Sequence, residues 1–128
     1  MTMNMRSVCL AVLGVVALSG SLWAKPAATT RTPFDGAWSV LIVTDSGTCD
    51  RAYRYALHIV NGRITYDDPS FTVSGHVDAR GSTNVTVSAG SERASGSGQL
   101  YGDHGEGQWS GRSSTSQCSG HWEAERRG

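Results

Sequence analysis

The chain has 128 residues, of which 16 are glycine, and its 11 Lys and Arg residues balance its 11 Asp and Glu residues. This length suits a single domain. A neutral chain with scattered charges lacks the basic surface that nucleic acids and anionic membranes require, so both are excluded as partners.

The first 24 residues have the layout of a secretory signal peptide. Arg6 gives the start a positive charge, residues 8–18 are apolar apart from one glycine, and Ala24 is a small residue suited to cleavage. The alternative is a membrane anchor, but the apolar run is shorter than the ~20 residues that a spanning helix needs. We therefore predict a cleaved signal helix at 1–24, export to the periplasm or the medium, and no membrane contact after cleavage.

Two cysteines remain after cleavage, because Cys9 lies within the signal segment. Cys49 and Cys118 form an even pair in an exported chain, a pattern that indicates one disulfide rather than a metal site or a nucleophile. Two reduced, buried thiols are the alternative. The loop that the bond would close is long, so the chain-entropy model gives it about 4 kcal/mol of stabilisation.

Residues 25–33 are rich in Ala, Thr and Pro and are predicted to form a flexible arm before a domain at 34–128. Within this domain no window has a helical period, and short β-branched or aromatic runs alternate with turn residues. Asn61-Gly62 is the strongest hairpin signal, because both residues accept the positive φ of a type I′ turn. The predicted strands fall, in chain order, near residues 37–44, 52–60, 63–66, 71–77, 84–88, 94–100, 105–111 and 118–124.

Eight short strands with tight connections indicate an antiparallel meander, which has two exposed edges unless the sheet closes on itself. We therefore predict an all-β fold, a small eight-stranded antiparallel up-and-down barrel closed by one disulfide, with a two-sheet sandwich as the alternative. Inward-facing glycines in the last three strands favour a narrow interior filled by side chains over a large ligand cavity. We expect a monomer.

A Gly-x-Trp pattern occurs three times, at 36–38, 107–109 and 120–122. Residues two apart on a strand share a face, so each glycine is expected to lie on the same face as its tryptophan. Large aromatic side chains with polar tips are favoured in binding surfaces. The candidate ligand-lining residues, predicted to border one end of the barrel, are Trp38, Tyr55, Trp109 and Trp122. Packing of the indoles in the core is the alternative interpretation.

The order of the motifs resembles that of a group of short exported bacterial β-barrel proteins of uncharacterised function. It runs from Phe34-Asp-Gly-Ala-Trp through Val60-Asn-Gly-Arg-Ile to Cys118-Ser-Gly-His-Trp. This resemblance implies no activity. Trp38 on the first strand and Arg126 after the last are similar to the calycin plan of lipocalins and avidins, which implies that Trp38 packs under Arg126. The architecture is also similar to small periplasmic inhibitors of bacterial metalloproteases, whose N-terminal arm enters the protease.

No catalytic, metal or cofactor site is predicted, so the protein is not expected to be an enzyme. The four histidines lack the spacing of a metal site, and no serine lies at a strand-to-helix elbow. The sequence predicts a non-catalytic exported module that binds a small apolar ligand at an aromatic barrel end, or a protein partner. The alternative function is that of a protease inhibitor that contacts an enzyme through residues 25–33.

Overall fold

The computed structural model describes residue 14 and residues 31–128. Apart from residue 14, the predicted signal segment lies outside the described residues, as do residues 25–30 of the predicted arm. The described domain is entirely β. Its strands are β1 (Gly36–Ser46), β2 (Ala52–Val60), β3 (Arg63–Thr65), β4 (Thr72–Val77), β5 (Ser82–Ala89), β6 (Glu92–Tyr101), β7 (His104–Arg112) and β8 (Gln117–Arg126).

The eight strands form a closed antiparallel barrel in which each strand pairs with the next along the chain. The predicted up-and-down barrel is confirmed, and the two-sheet sandwich is wrong. Closure comes from β1 and β8, which pair from Trp38 opposite Arg126 to Ser46 opposite Ser119, with a bulge between Thr44 and Ser46. This pairing removes the exposed edges that an open meander would leave.

The β2–β3 connection is the hairpin that the sequence predicts. Asn61 and Gly62 have φ values of 52° and 76°, the left-handed region that a type I′ turn requires. The turn then fixes the register in which Val60 lies opposite Arg63 and Ile59 opposite Ile64. Both isoleucines consequently point into the core, where each is buried.

The Gly-x-Trp patterns of β7 and β8 pair with each other across the two strands. Gly107 lies opposite Trp122, and Trp109 lies opposite Gly120. A Cβ added at Gly107 would overlap the Trp122 indole and the carbonyl oxygen of Ser97, and one added at Gly98 would meet the same indole. The Trp122 indole therefore occupies the space that Gly107 leaves open, whereas the space beside Gly120 is occupied by the Val43 carbonyl of β1.

One end of the barrel, the closed end, is filled by a buried apolar cluster. Its members include Phe34, Trp38, Ile59, Ile64, Val77, Leu100 and Ala124. The Trp38 indole N–H donates to the Phe34 carbonyl at 2.8 Å. The Arg126 guanidinium lies 4.9 Å from the centroid of the Trp38 ring, a cation–π contact that also shields the indole from water.

Arg126 and Asp35 fasten the chain across the closed end. Arg126 donates hydrogen bonds of 2.6 Å to the carbonyl oxygens of Pro33 and Asp35. The Asp35 carboxylate accepts from the backbone N–H groups of Asn61 at 2.7 Å and Gly62 at 3.0 Å. Pro33, which the sequence places in the arm, therefore contacts the barrel because its carbonyl accepts from Arg126.

Replacing Gly107 by Ala should lower the free energy of unfolding by about 1–3 kcal/mol, because the new methyl group overlaps a packed indole and a backbone oxygen. Gly96→Ala, on the neighbouring strand β6, is the matched control. A Cβ there meets Val85 Cγ1 at 3.3 Å and the Gln108 carbonyl oxygen at 3.4 Å, which small shifts accommodate. Its effect should stay within about 1 kcal/mol. Equal effects of both variants in chemical denaturation would contradict this packing.

Asp35 should make the free energy of unfolding depend on pH in the acid range. Burial raises the pKa of its carboxyl, but hydrogen bonds from Thr32, Gly62 and Asn61 outweigh burial and place it below the ordinary value of 3.8. A carboxyl whose pKa is lower in the folded state stabilises the fold at pH values above about 3.8. This stabilisation is lost as the pH falls through the folded-state pKa.

Denaturation of the native protein and of Asp35→Asn, at a series of pH values, should show this contribution directly. The native protein should be the more stable at neutral pH, and the gap should narrow in acid. Glu106→Gln, which changes an exposed carboxylate on the outer face of β7, should leave no such pH-dependent gap. A gap between the native protein and Asp35→Asn that stays constant into acid would contradict this role of the charge.

Candidate ligand cavity

The barrel encloses a cavity of about 560 Å³ that runs from Trp38 at the closed end to loop residues at the opposite end. The sequence predicts a narrow interior filled by side chains, and the structure differs. The Trp122 indole lies against Gly98 of β6 and Gly107 of β7, in the space that these glycines leave open. The cavity remains beside it.

The cavity wall is largely apolar. Alternation along each strand directs one set of side chains inward, and aliphatic residues dominate this set. The wall between the two ends is formed mainly by Val40, Ile42, Leu57, Val73, Val85, Val87 and Ala94. An interior of this composition favours an apolar occupant over water, because water there finds few hydrogen-bond partners.

The open end of the cavity carries four aromatic rings, which we call the aromatic mouth: Tyr53, Tyr55, Tyr66 and Phe71. Ring centroids lie 4.7 Å apart for Tyr53 and Tyr55, 5.8 Å for Tyr55 and Tyr66, and 5.5 Å for Tyr66 and Phe71. The rings are tilted or edge-on to one another. Tyr53 is 55 % exposed, whereas Tyr55 is half-buried against the cavity. The aromatic mouth thus joins solvent to the apolar interior.

Carboxylates and arginines border the same end on different faces of the sheet. Glu92 shares the inward-facing positions of β6 with Ala94, and Asp50 lies in the β1–β2 loop; both line the cavity. Arg93 and Arg112 lie opposite each other in the β6–β7 register, on the outward-facing positions. All four residues border the cavity, so this rim carries charges of both signs.

The pKa of the Tyr55 hydroxyl reflects its burial and the charged groups near it. Burial raises the pKa of its hydroxyl above the ordinary value of 10.0, and its neighbours Tyr53, Tyr66, Asp50 and Glu92 raise the pKa further. The Tyr55 hydroxyl is therefore neutral at physiological pH. The direction of this shift agrees with carboxylates placed close to the aromatic mouth.

Trp122 has a buried polar atom without a partner among the described residues. The indole N–H groups of Trp38 and Trp109 donate to the carbonyl oxygens of Phe34 and Val43. Trp122 is only 6 % exposed, and its Nε1 has no acceptor among the described residues. Buried donors without an acceptor are rare, since each costs about 1–3 kcal/mol.

The four residues predicted to line a ligand site all border the cavity, but at different depths. Trp38 lies at the closed end, Trp122 and Trp109 lie on the wall, and Tyr55 lies at the mouth. Tyr53 and Tyr66 stand out in the sequence as aromatic residues with polar tips. Phe71, Asp50 and Glu92 are not predicted, because nothing in a single sequence shows that the β1–β2 loop, the β3–β4 connection and the start of β6 meet.

The histidines lie outside the cavity. His121 contacts Asp45 at 2.7 Å on the outer face, a hydrogen bond that raises the pKa of the imidazole. His58 lies 3.7 Å from Asp67. Across residues 31–128, no group of three or more His, Cys, Asp and Glu side chains has a geometry suited to a metal ion.

The Cys49–Cys118 disulfide lies at the rim of the same end, and the predicted pairing is confirmed. It links the β1–β2 loop to the start of β8, across a sequence separation of 69 residues. The Cys49 backbone N–H also donates to the Cys118 sulfur at 3.1 Å. The bond therefore anchors a loop that contributes Asp50 to the rim.

Comparison of the chain with models of known protein families, with curated proteins and with solved structures found no match. Within the described part of the chain, no helix has the length and apolar character needed to cross a membrane.

The double variant Cys49→Ser/Cys118→Ser should be less stable than the oxidised protein by about 4 kcal/mol, because the bond restricts a long loop in the unfolded chain. Chemical denaturation measures the difference. Reduced native protein is the matched control and should unfold with the variant. Equal stability of the oxidised protein and the double variant would contradict this role.

Proposed function

We propose that this protein is an exported, non-catalytic binding module that holds a small apolar ligand in its barrel cavity. The observation that carries the proposal is the apolar cavity of about 560 Å³ that ends in the aromatic mouth. Pockets that enclose small ligands have volumes of ~300–1,000 Å³ and mostly apolar walls. Transfer of an apolar molecule from water into such a wall gains about 25 cal/mol for each Å² that it buries.

Export is supported by the disulfide, since such bonds persist in oxidising compartments. The signal peptide at 1–24 remains a prediction, with the periplasm or the medium as the destination. The inhibitor alternative also remains a prediction, because residues 25–30 of its arm lie outside the described residues. Thr32 and Pro33 are held at the closed end by Asp35 and Arg126.

The proposal predicts saturable uptake of a neutral apolar dye such as N-phenyl-1-naphthylamine, measured by its fluorescence increase. Val85→Trp places a large side chain on the cavity wall and should abolish uptake. The matched control is Thr86→Trp, the next residue along β5, which faces outward and should leave uptake unchanged.

Circular dichroism establishes that each variant retains the barrel. Val87→Phe, closer to the mouth, is a second cavity-filling variant if Val85→Trp does not fold. Absence of saturable uptake by the native protein would overturn the proposal. If a folded cavity-filling variant still takes up the dye, the dye binds outside the cavity. That result would also overturn the proposal.

A further inference from the structure

We propose that the ligand of this cavity is a compact, neutral ring compound, aromatic or alicyclic, that occupies only the half of the barrel next to the aromatic mouth. The inference rests on the proposed function and specifies its ligand class. A single long alkyl chain, which would suit an open cavity through the whole barrel, is disfavoured.

The exposure of the inward-facing side chains changes sharply halfway along the barrel. Leu57 of β2 and Val40 of β1 are half-buried, so space beside them is open to water. The next inward-facing residues toward the closed end are Ile59 and Trp38, which are only 6 % and 2 % exposed. On β5 the same step lies between residues 85 and 83. The open part of the interior therefore ends at one level on three strands.

Buried side chains form a floor at this level. They belong to a single apolar cluster, on which Val40, Leu57 and Val85 pack from the cavity side. Packed clusters of this kind contain few voids larger than a water molecule. The floor residues that border the cavity are Trp38, Ile59, Ile64, Val77, Leu100 and Ala124. A ligand that enters at the aromatic mouth therefore stops on the floor and does not reach the closed end.

The open half is about as wide as it is deep. Its depth follows from β2, on which the inward-facing positions from Tyr53 to Leu57 border it. Four residues at ~3.4 Å each, on a strand tilted by ~40°, span about 10 Å along the barrel axis. A volume of about 560 Å³ over that depth gives a mean cross-section of about 56 Å², or a width of ~8 Å.

This shape fits a ring system better than a chain. Carbon atoms in contact lie ~3.5–4.0 Å apart, so one extended alkyl chain is only ~4–5 Å wide and fills less than half of the cross-section. The wall beside such a chain would lack partner atoms and lose their dispersion energy. A fused or bridged ring of nearly the width of the cavity contacts the wall on all sides.

The charges at the rim favour a neutral ligand. Asp50, Glu92, Arg93 and Arg112 all border the cavity, so the lining carries two charges of each sign. This balance gives no net attraction for a cationic or an anionic group. Below the rim the wall is apolar, and a charge brought there would remain without a partner, which is costly.

A series of neutral alcohols tests the shape of the site. Hexanol, octanol, decanol and dodecanol differ only in chain length, and 1-adamantanol is a bridged-ring alcohol with as many carbons as decanol. Their affinities are measured by displacement of N-phenyl-1-naphthylamine, below the solubility limit of each alcohol.

Affinity should rise about fourfold for each methylene from hexanol to octanol. It should then change by about twofold or less up to dodecanol, because a chain advances only ~1.3 Å per methylene and about eight carbons reach the floor. 1-Adamantanol should bind about tenfold more tightly than decanol, since it contacts more of the wall.

Ile59→Ala tests the floor itself. It removes buried atoms directly below Leu57, so the rise in affinity should continue from octanol to decanol. Val60→Ala is the matched control, because the next side chain along β2 faces outward and is 54 % exposed; it should leave the limit at octanol. Val77→Ala is a second floor variant if Ile59→Ala does not fold, as circular dichroism would show.

The outcomes separate the two proposals. If affinity in the native protein keeps rising from octanol to dodecanol, or if decanol binds as tightly as 1-adamantanol, the ring inference is overturned and the apolar cavity function stands. The same holds if folded floor variants leave the limit at octanol. If neither the dye nor any alcohol binds, the proposed function itself fails.

Discussion

The reciprocal pairing of glycine and tryptophan on β7 and β8 is the constraint on which the rest of the structure depends. Gly107, opposite Trp122, leaves room for that indole on the inner face, and Gly120, opposite Trp109, lets the Val43 carbonyl of β1 approach β8 closely. Trp109 then donates to the Val43 carbonyl of β1, at 3.0 Å. The aromatic packing on β7 and β8 is therefore bonded to the strand with which β8 closes the barrel.

The two ends of the barrel have opposite roles. At the closed end, each polar group that holds the chain finds a partner: Arg126 bonds to carbonyl oxygens, and Asp35 bonds to the N–H groups of a hairpin turn. At the mouth, Glu92 has no ion-pair partner among the described residues, and four aromatic rings lie next to solvent. The closed end is held by these hydrogen bonds, whereas the mouth end is held by the Cys49–Cys118 disulfide.

Much of the fold could be predicted from the sequence, because strand alternation, turn chemistry and cysteine count each act locally. Asn61-Gly62 fixes one hairpin, and an even number of cysteines after the signal segment indicates one bond. The cavity could not be predicted in this way. Inward glycines are equally compatible with a narrow core and with an indole lying against the wall, and only the register that sets Gly107 against Trp122 distinguishes them. Phe71 and Glu92 line the same cavity because of the tertiary fold, which sequence patterns do not encode.

The chain enters and leaves the barrel at the same end. Residues 31–35 and 126–128 all lie at the closed end, where Ala37 donates its N–H to the Gly128 carbonyl at 2.8 Å. If the domain is attached to a sensor surface or to a fused protein next to residues 31–35 or 126–128, the aromatic mouth therefore points away from the attachment. The geometry makes the domain suitable for oriented immobilisation, in which every copy presents the same opening to the solution.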